Sequence, residues 1–324
     1  MTALGERRFA AAERQFAAAV AAAEGFGRLD AQLEVSLDAL ARTLQNQDAH
    51  GRAEPVLRRL LEIREQTLTS TDPKLLDTLI GLGVACRMQR KYAEAESRYR
   101  RALNVAQHAL PPAHPDLGVL MHNLAAVLGW LGRHAEAEPL CSRSAQILEK
   151  ALGPDHPDVA ASLRELAGIH TRQERYNEAH AEYCRSLAIE EKCLGPEHPN
   201  LAHSLNNLSG VLWSLGDRDG AASALRRAIA IREKALGPDH VLVAITQGNL
   251  ATFLAARGES AEAEPLFLRA LSILERGLGP DDPLVAATLE QYAGMLRKND
   301  RASEAQTLEA RANAMHSRMT PGTG

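Results

Sequence analysis

The sequence contains few aromatic residues and no strand-like pattern. Aromatic residues make up 4% of its 324 positions, and Val and Ile never alternate with polar residues over the length of a strand. The apolar residues are mostly Ala and Leu, which have high helix propensity. This composition predicts an all-α protein.

Long apolar runs and an excess of basic charge are also absent. No apolar run of roughly 18 residues occurs, so no transmembrane helix is predicted. The N-terminal segment carries Glu6, Arg7 and Arg8 where a signal peptide needs an apolar core, which predicts a cytoplasmic protein. The formal net charge is -4, without the basic stripe typical of nucleic-acid binding. Neither a membrane nor a nucleic acid is therefore an expected partner.

The motifs of the common enzyme and metal-binding classes are missing as well. No Walker A loop, GxGxxG, HExxH, nucleophile elbow or EF-hand loop occurs, so neither catalytic residues nor a cofactor is predicted. The four cysteines follow no CxxC spacing, and without an export signal we expect reduced core thiols: Cys86, Cys141, Cys184 and Cys193. The sequence thus predicts neither an enzyme nor a metal site.

What the sequence does contain is a strict repeat. The hexapeptide LGPDHP that begins at Leu152 returns with small changes at Leu194, Leu236 and Leu278, always 42 residues further on. Seven repeats start near residues 30, 72, 114, 156, 198, 240 and 282. A fixed period of this size predicts a solenoid, in which each repeat buries its apolar face against its neighbours. Histidines at equivalent positions then lie at least about 10 Å apart, which is too far for a shared metal ion.

Each repeat contains two stretches with apolar residues at helical spacing. In the third repeat the first stretch has Leu117, Met121, Leu124 and Leu128 on one side. In every second stretch one position is always alanine: Ala53, Ala95, Ala137, Ala179, Ala221, Ala263 and Ala305. Small residues at a fixed position let crossing helices approach closely. The pattern predicts seven pairs of antiparallel helices.

The links between repeats carry residues that end and begin helices. Gly153 is suited to a left-handed C-cap, and Pro154 prevents the helix from continuing. His156 or an equivalent Asp stands at the expected N-cap, followed by Pro in most repeats. Histidine is a weaker N-cap than Asp, so capping does not fully explain that position.

The turn between the two helices resembles the signature of the tetratricopeptide repeat family. The segments from Arg90 to Ala95 and from Arg175 to Ala179 carry it, and a Leu followed by a small residue recurs in the first helix. The 42-residue period and the LGPDHP link are similar to the kinesin-light-chain subgroup. The resemblance covers residues 30–318. It implies an α-solenoid with a right-handed superhelix, and second helices about two turns longer than in the 34-residue form.

We expect a single solenoid domain over residues 1–319. Residues 5–24 fit a lone second helix, which is either the remnant of an earlier repeat, making the chain part of a longer array, or an N-terminal cap. Residues 320–324 are expected to be a disordered tail.

The resemblance also implies that the first helices line a concave groove that binds other proteins. Positions on the groove side of these helices vary between repeats, whereas the core positions are nearly constant. We therefore expect a non-enzymatic scaffold that binds a peptide segment of a partner. The predicted contact residues are His122, Asn123, Trp130, Arg164, Arg172, Asn206, Asn207, Trp213 and Asn249.

Each predicted contact has a structural alternative. Asparagine amides can pair with a peptide backbone, or they can bridge neighbouring helices. Arg164 and Arg172 suit an acidic ligand, although Glu165 could neutralise them on a solvated helix face. Trp130 and Trp213 could hold an apolar ligand side chain, or each could pack beneath the next repeat.

Two other functions fit the same pattern. One is a regulatory or sensor array of a larger signalling ATPase or kinase, which the half repeat at the N-terminus favours. The other is a self-association module that forms homodimers.

Overall fold

The computed structural model describes residues 3–24 and 31–319, and the side chains of residues 11–23 and 31–318. These residues form fifteen α-helices in sequential antiparallel pairs, which confirms the predicted all-α solenoid class. The helices are α1 (Ala3–Glu24), α2 (Ala31–Asn46), α3 (His50–Thr67), α4 (Lys74–Met88), α5 (Tyr92–Ala109), α6 (Pro115–Trp130), α7 (His134–Leu152), α8 (Pro157–Arg172), α9 (Tyr176–Leu194), α10 (Leu201–Ser214), α11 (Arg218–Leu236), α12 (Val241–Ala256), α13 (Ser260–Leu278), α14 (Pro283–Lys298) and α15 (Ala302–Met319). Within these ranges no helix has the length and apolarity needed to cross a membrane.

The chain divides into two compact units, residues 1–169 and 170–324. The first unit contains α1 to α7 and most of α8, and its core includes Leu79, Leu82 and Tyr99. The second contains the end of α8 and α9 to α15, with Phe267 and Leu289 among its core residues. The first helix of each pair has 14 to 16 residues and the second has 18 or 19, so the predicted extension of the second helices is confirmed.

The small position that recurs in every second helix is fully buried. All seven of its alanines, from Ala53 to Ala305, are 0% exposed. Leu117, Leu124 and Leu128 are buried as the periodicity predicts, and Met121 packs against the same core from a half-buried position. A larger side chain at the alanine position would separate the two helices.

Capping explains the recurrent histidine, which corrects the sequence-based interpretation. The Nδ1 atoms of His114, His156, His198 and His240 accept hydrogen bonds from the backbone N–H two residues further on, at 3.1 to 3.3 Å. The Asp282 carboxylate accepts the equivalent bond from the Leu284 N–H at 2.8 Å. The imidazole therefore caps α6 and α12 in the same way as Asp282 caps α14. His198 makes the same bond within the link before α10, whose N-cap is Asn200.

Gly153 also differs from expectation. Its φ is 95°, which is positive as predicted, but its ψ of 160° is extended rather than left-handed helical. Gly195, Gly237 and Gly279 have nearly the same angles. These four links thus use a backbone conformation that is essentially restricted to glycine. In the first two links Leu68 and Leu110 follow the helix in an extended conformation with negative φ.

The prediction of four core thiols is half wrong. None of the four cysteines forms a disulfide, and Cys86 and Cys141 are buried as expected. Cys184 and Cys193 are exposed because they lie on the outer side of α9. The sequence spacing did not distinguish the two sides of this long helix.

At the N-terminus, α1 covers the predicted 5–24 segment and packs against α2. Ala23 is buried with Leu33, Leu37 and Leu60, and Arg52 pairs with Glu13 at 2.6 Å. The contact covers an apolar face of the first repeat. The predicted disordered tail at 320–324 lies outside the described residues.

Ion pairs that the sequence analysis did not predict join neighbouring repeats. In each pair, a glutamate near the start of the second helix of one repeat bonds to a basic residue 37 positions further along the chain. That basic residue stands just before the second helix of the following repeat. The pairs are Glu54–Lys91 at 2.8 Å, Glu96–Arg133 at 2.7 Å and Glu264–Arg301 at 2.7 Å. Hydrogen bonds from Lys91, Arg58 and Gln89 outweigh burial and lower the pKa of Glu54 to about 2.

Candidate functional site

The nine predicted contact residues lie on four first helices. His122, Asn123 and Trp130 are on α6, Arg164 and Arg172 on α8, Asn206, Asn207 and Trp213 on α10, and Asn249 on α12. None of the nine is fully buried. We call this side of the first helices the variable face. Residues up to Arg164 in this set belong to the first unit and the others to the second.

In the first unit His122 is the centre of a basic cluster. Its Nδ1 is buried and has no hydrogen-bond partner among the described residues, and the same holds for Arg87 Nε. Burial, together with the charges of Arg164 and Arg87, lowers the pKa of His122 to about 4, against a small opposing effect of Asp158. The imidazole is therefore neutral at pH 7, beside two guanidinium groups.

Trp130 lies beside this cluster and is the most exposed aromatic residue of the variable face. Its side chain is 66% exposed, and its ring is parallel to that of Tyr92, with the ring centroids 5.8 Å apart. The two rings border a cavity of about 290 Å³ together with Arg87, Met88 and Arg90. Trp130 thus does not pack beneath the next repeat, and an exposed aromatic ring next to arginines is available for contact.

In the second unit the asparagines bond to one another and to a neighbouring histidine. Asn249 Nδ2 donates to Asn206 Oδ1 at 3.0 Å and so bridges α12 and α10. Asn207 Nδ2 lies 3.3 Å from His203 Nε2 on the same helix. Asn249 Oδ1 and Asn206 Nδ2 have no further side-chain hydrogen bond among the described residues. The asparagines therefore do bridge neighbouring helices, and Asn249 Oδ1 and Asn206 Nδ2 are left for a ligand.

Trp213 has a different environment from Trp130. Its ring stacks on Phe253 of the next repeat at a centroid distance of 4.4 Å, and the Arg218 guanidinium lies 4.5 Å from the ring centroid. This arrangement agrees with the packing alternative, because both faces of the indole are in use. The ring remains half-buried, so its edge is still accessible.

The structure adds residues that sequence reasoning missed. Arg87 and Tyr92 complete the surroundings of His122 and Trp130, although they are distant from them in sequence. Gln247 lies in a separate cavity on the side of the second helices. The sequence could have singled out Gln247, because the equivalent position holds Leu or Met in the other six repeats.

Comparison with known protein families gives a match over most of the chain. Residues 32–108, 116–192 and 242–316 match a family model described as tetratricopeptide repeat, and residues 201–242 match a second model of the same description. No curated protein matches the sequence.

Solved structures with a similar fold include nearly identical TPR-like repeats from Podosopora anserina, named for kinesin light chain. They are 28% identical, with 64% of this chain and 97% of that chain covered and a TM-score of 0.57. BtubC (BKLC) from P. vanneervenii is 25% identical over 73% of this chain and 92% of that chain, with a TM-score of 0.58. A Rap protein complexed with competence and sporulation factor is 15% identical over 97% of this chain and 99% of that chain, with a TM-score of 0.56. This likeness shows the fold alone.

Proposed function

Because the chain belongs to the tetratricopeptide repeat family, we propose that it is a non-enzymatic scaffold that binds a peptide segment of a partner protein on its variable face. The core positions of the repeats are nearly constant and the residues of this face differ from repeat to repeat. A constant scaffold with a variable surface is how repeat proteins achieve specificity.

The basic cluster around His122 carries the further proposal that the segment is acidic. Two buried nitrogen atoms, His122 Nδ1 and Arg87 Nε, have no acceptor among the described residues. A buried polar group without a partner is destabilising, and a ligand carboxylate would relieve it. Such hydrogen bonds to an ionised group are stronger than neutral ones. Trp130 and Tyr92 would contact an apolar side chain beside the carboxylate.

In the second unit we propose that Asn207 and Asn249 bond to the ligand backbone. An amide that donates and accepts at once can pair with a peptide group. On Asn249 the group that would do so is Oδ1, which the Asn206–Asn249 bond leaves unused.

The experiment compares binding of partners captured from native lysate with binding of a labelled Glu-rich peptide. Replacing both Asn207 and Asn249 by Ala should leave the helical circular dichroism unchanged and weaken capture by about tenfold, because two hydrogen bonds of about 0.5–1.5 kcal/mol each are lost. His122→Gln should weaken binding of the Glu-rich peptide, and a Gln-rich peptide of the same length should bind poorly to both proteins.

Asn177→Ala is the matched control, since Asn177 is exposed on the second helix α9. It should leave capture unchanged. Unaltered capture by the Asn207/Asn249 variant would count against the proposed face, and equal affinity for Glu-rich and Gln-rich peptides would refute the acidic ligand.

The exposed ring of Trp130 favours self-association as a second candidate function, because a surface Trp is often an interface residue. Sedimentation velocity over a concentration series distinguishes the two. A dimer that dissociates on Trp130→Ala substitution would support self-association, and a monomer at every concentration would exclude it.

A further inference from the structure

Gln247 on α12 is an anomaly among the repeats. The equivalent residues are Leu37, Leu79, Met121, Leu163, Leu205 and Leu289, all apolar. Gln247 is nevertheless only 2% exposed, so an amide occupies a position that packing assigns to an aliphatic side chain. Its Oε1 atom is buried, and no described residue donates a hydrogen bond to it. An unpaired amide oxygen at such a position destabilises the free protein.

Gln247 lines a cavity of about 360 Å³ in the second unit. The cavity lies between the second helices α11 and α13 of neighbouring repeats, with α12 beneath them, and so on the side away from the variable face. We call it the α11–α13 cleft. Its apolar walls are Ile229, Leu250, Pro265 and Leu266.

Two ion pairs flank the α11–α13 cleft. Arg226 pairs with Glu262 at 2.9 Å, and Arg269 pairs with Glu233 at 3.4 Å. Each pair joins α11 to α13. Since two cations balance two anions, the rim does not favour a ligand of either charge. The chemistry that distinguishes the cleft is its apolar wall and the single unpaired acceptor.

A ligand that matches these features has a flat apolar body and one hydrogen-bond donor. Tryptophan and tyrosine side chains have this character, and their N–H or O–H groups find a partner when buried. The volume is at the lower end of the range for ligand pockets, which suits one side chain rather than an extended molecule. The terminal torsion of glutamine is broad, so the amide can turn Oε1 towards the cleft.

We propose that the α11–α13 cleft binds a tryptophan or tyrosine side chain of a partner protein, whose indole N–H or phenol O–H donates to Gln247 Oε1. The unpaired amide is then satisfied only in the complex. This site is separate from the variable face, and its binding does not depend on the asparagines there.

The test uses the full chain and three probes, N-acetyl-tryptophanamide, N-acetyl-tyrosinamide and N-acetyl-phenylalaninamide, titrated by saturation-transfer NMR. The first two should bind about three- to tenfold more tightly than the phenylalanine probe, which lacks the donor. Gln247→Met introduces the residue that the third repeat has at this position and keeps the side-chain length. It should reduce the affinities of the tryptophan and tyrosine probes to the phenylalanine level without lowering the melting temperature.

Gln247→Leu is the second variant and should behave in the same way. Asn249→Ala, two residues away on the variable face, should leave probe binding unchanged, so failure of this site and failure of the proposed function are distinguishable. Equal affinity of the three probes for the native chain, affinities that survive Gln247→Met, or no saturation transfer at the solubility limit would each overturn the proposal. Self-association abolished by both Gln247→Met and Trp130→Ala would instead make a second copy the occupant and overturn the assignment to another protein.

Discussion

Two kinds of backbone position with positive φ recur along the chain, one in the turn of all seven repeats and one in the links that follow the third to sixth repeats, and their residue requirements differ. The turn between paired helices uses Asp48, Arg90, Glu174 and Asp300 with φ of 53° to 61°, and Gly132, Gly216 and Gly258 at the equivalent positions. The link between repeats uses only glycine where φ is 88° to 95° and ψ is near 160°. The turn conformation is accessible to other residues at a cost, whereas the link conformation is essentially not.

Replacing glycine by alanine should therefore lower the free energy of unfolding by different amounts at the two positions. Gly258→Ala at a turn should lower the free energy of unfolding by about 1 kcal/mol. Gly237→Ala in a link should lower it by about 2–3 kcal/mol, although no atom lies within 4 Å of the added methyl group in either case. Urea unfolding followed by circular dichroism measures both.

Gly294→Ala is the control, since this glycine lies in the interior of α14 and its added methyl group also meets nothing within 4 Å. It should raise stability by about 0.5–1 kcal/mol. Equal losses at Gly237 and Gly258 would contradict the distinction between the two conformations.

The sequence predicted the helix ends and the core because these depend on short-range rules. Gly153, Pro154 and His156 mark one link, and the periodicity of Leu117, Leu124 and Leu128 marks the buried side of α6. The sequence placed His156 at the N-cap but did not show that histidine could cap as Asp does, because this depends on the position of one ring nitrogen relative to the backbone N–H two residues on.

The candidate site was harder to predict because its contacts join distant positions. The Asn206–Asn249 bond spans 43 residues, and the stacking of Tyr92 on Trp130 spans 38. Such pairs follow only from the way neighbouring repeats pack, which spacing alone does not give. The packing alternative describes Trp213 and not the exposed Trp130, and spacing alone did not distinguish the two tryptophans.

At the scale of the helix, ion pairs connect consecutive second helices. Among the three glutamates of these pairs, Glu54 is the most buried. Glu54 is 6% exposed and bonds to Lys91, Arg58 and Gln89. Its pKa falls from an ordinary 4.5 to about 2 on folding. The unfolded chain therefore binds more protons between these values, so the stabilisation is complete above pH 4.5 and is lost as the pH falls towards 2.

Glu54→Gln should remove this acid-dependent loss. The shift corresponds to about 3 kcal/mol of stability at neutral pH relative to pH 2. The difference between the urea midpoints at pH 7 and pH 3 should be smaller for the variant than for the native chain, and the part that remains comes from other paired carboxylates such as Glu264. The exposed Glu62→Gln on the same helix is the control and should retain the native pH dependence. A Glu54→Gln variant with the native pH profile would refute the assignment.

At the scale of the whole molecule, the contacts of a repeat array are made with neighbours, so a perturbation should remain local. Helix contacts in the second unit run from each helix to the next and from α12 to α14. Leu289 on α14 is 0% exposed, and Leu289→Ala should cost about 2–5 kcal/mol. In the Leu289→Ala variant the rate of amide hydrogen exchange should therefore rise in α12 to α15 and remain unchanged in α2 to α5.

Leu284→Ala is the matched control, because Leu284 is on the same helix and is 41% exposed. It should change exchange very little. A uniform rise over all fifteen helices after Leu289→Ala would show global cooperative unfolding and contradict the nearest-neighbour description.

The constant separation of the caps and ion pairs has a consequence for how such a chain can change length. The capping position is His or Asp in all seven repeats, and the first three repeats also share the glutamate of the Glu54–Lys91 and Glu96–Arg133 pairs. Duplication or loss of a 42-residue block in this part of the array therefore leaves the flanking repeats with chemically equivalent partners. Recombination within the gene can lengthen or shorten the array and bring different surface residues side by side, without a new interface having to evolve at the junction.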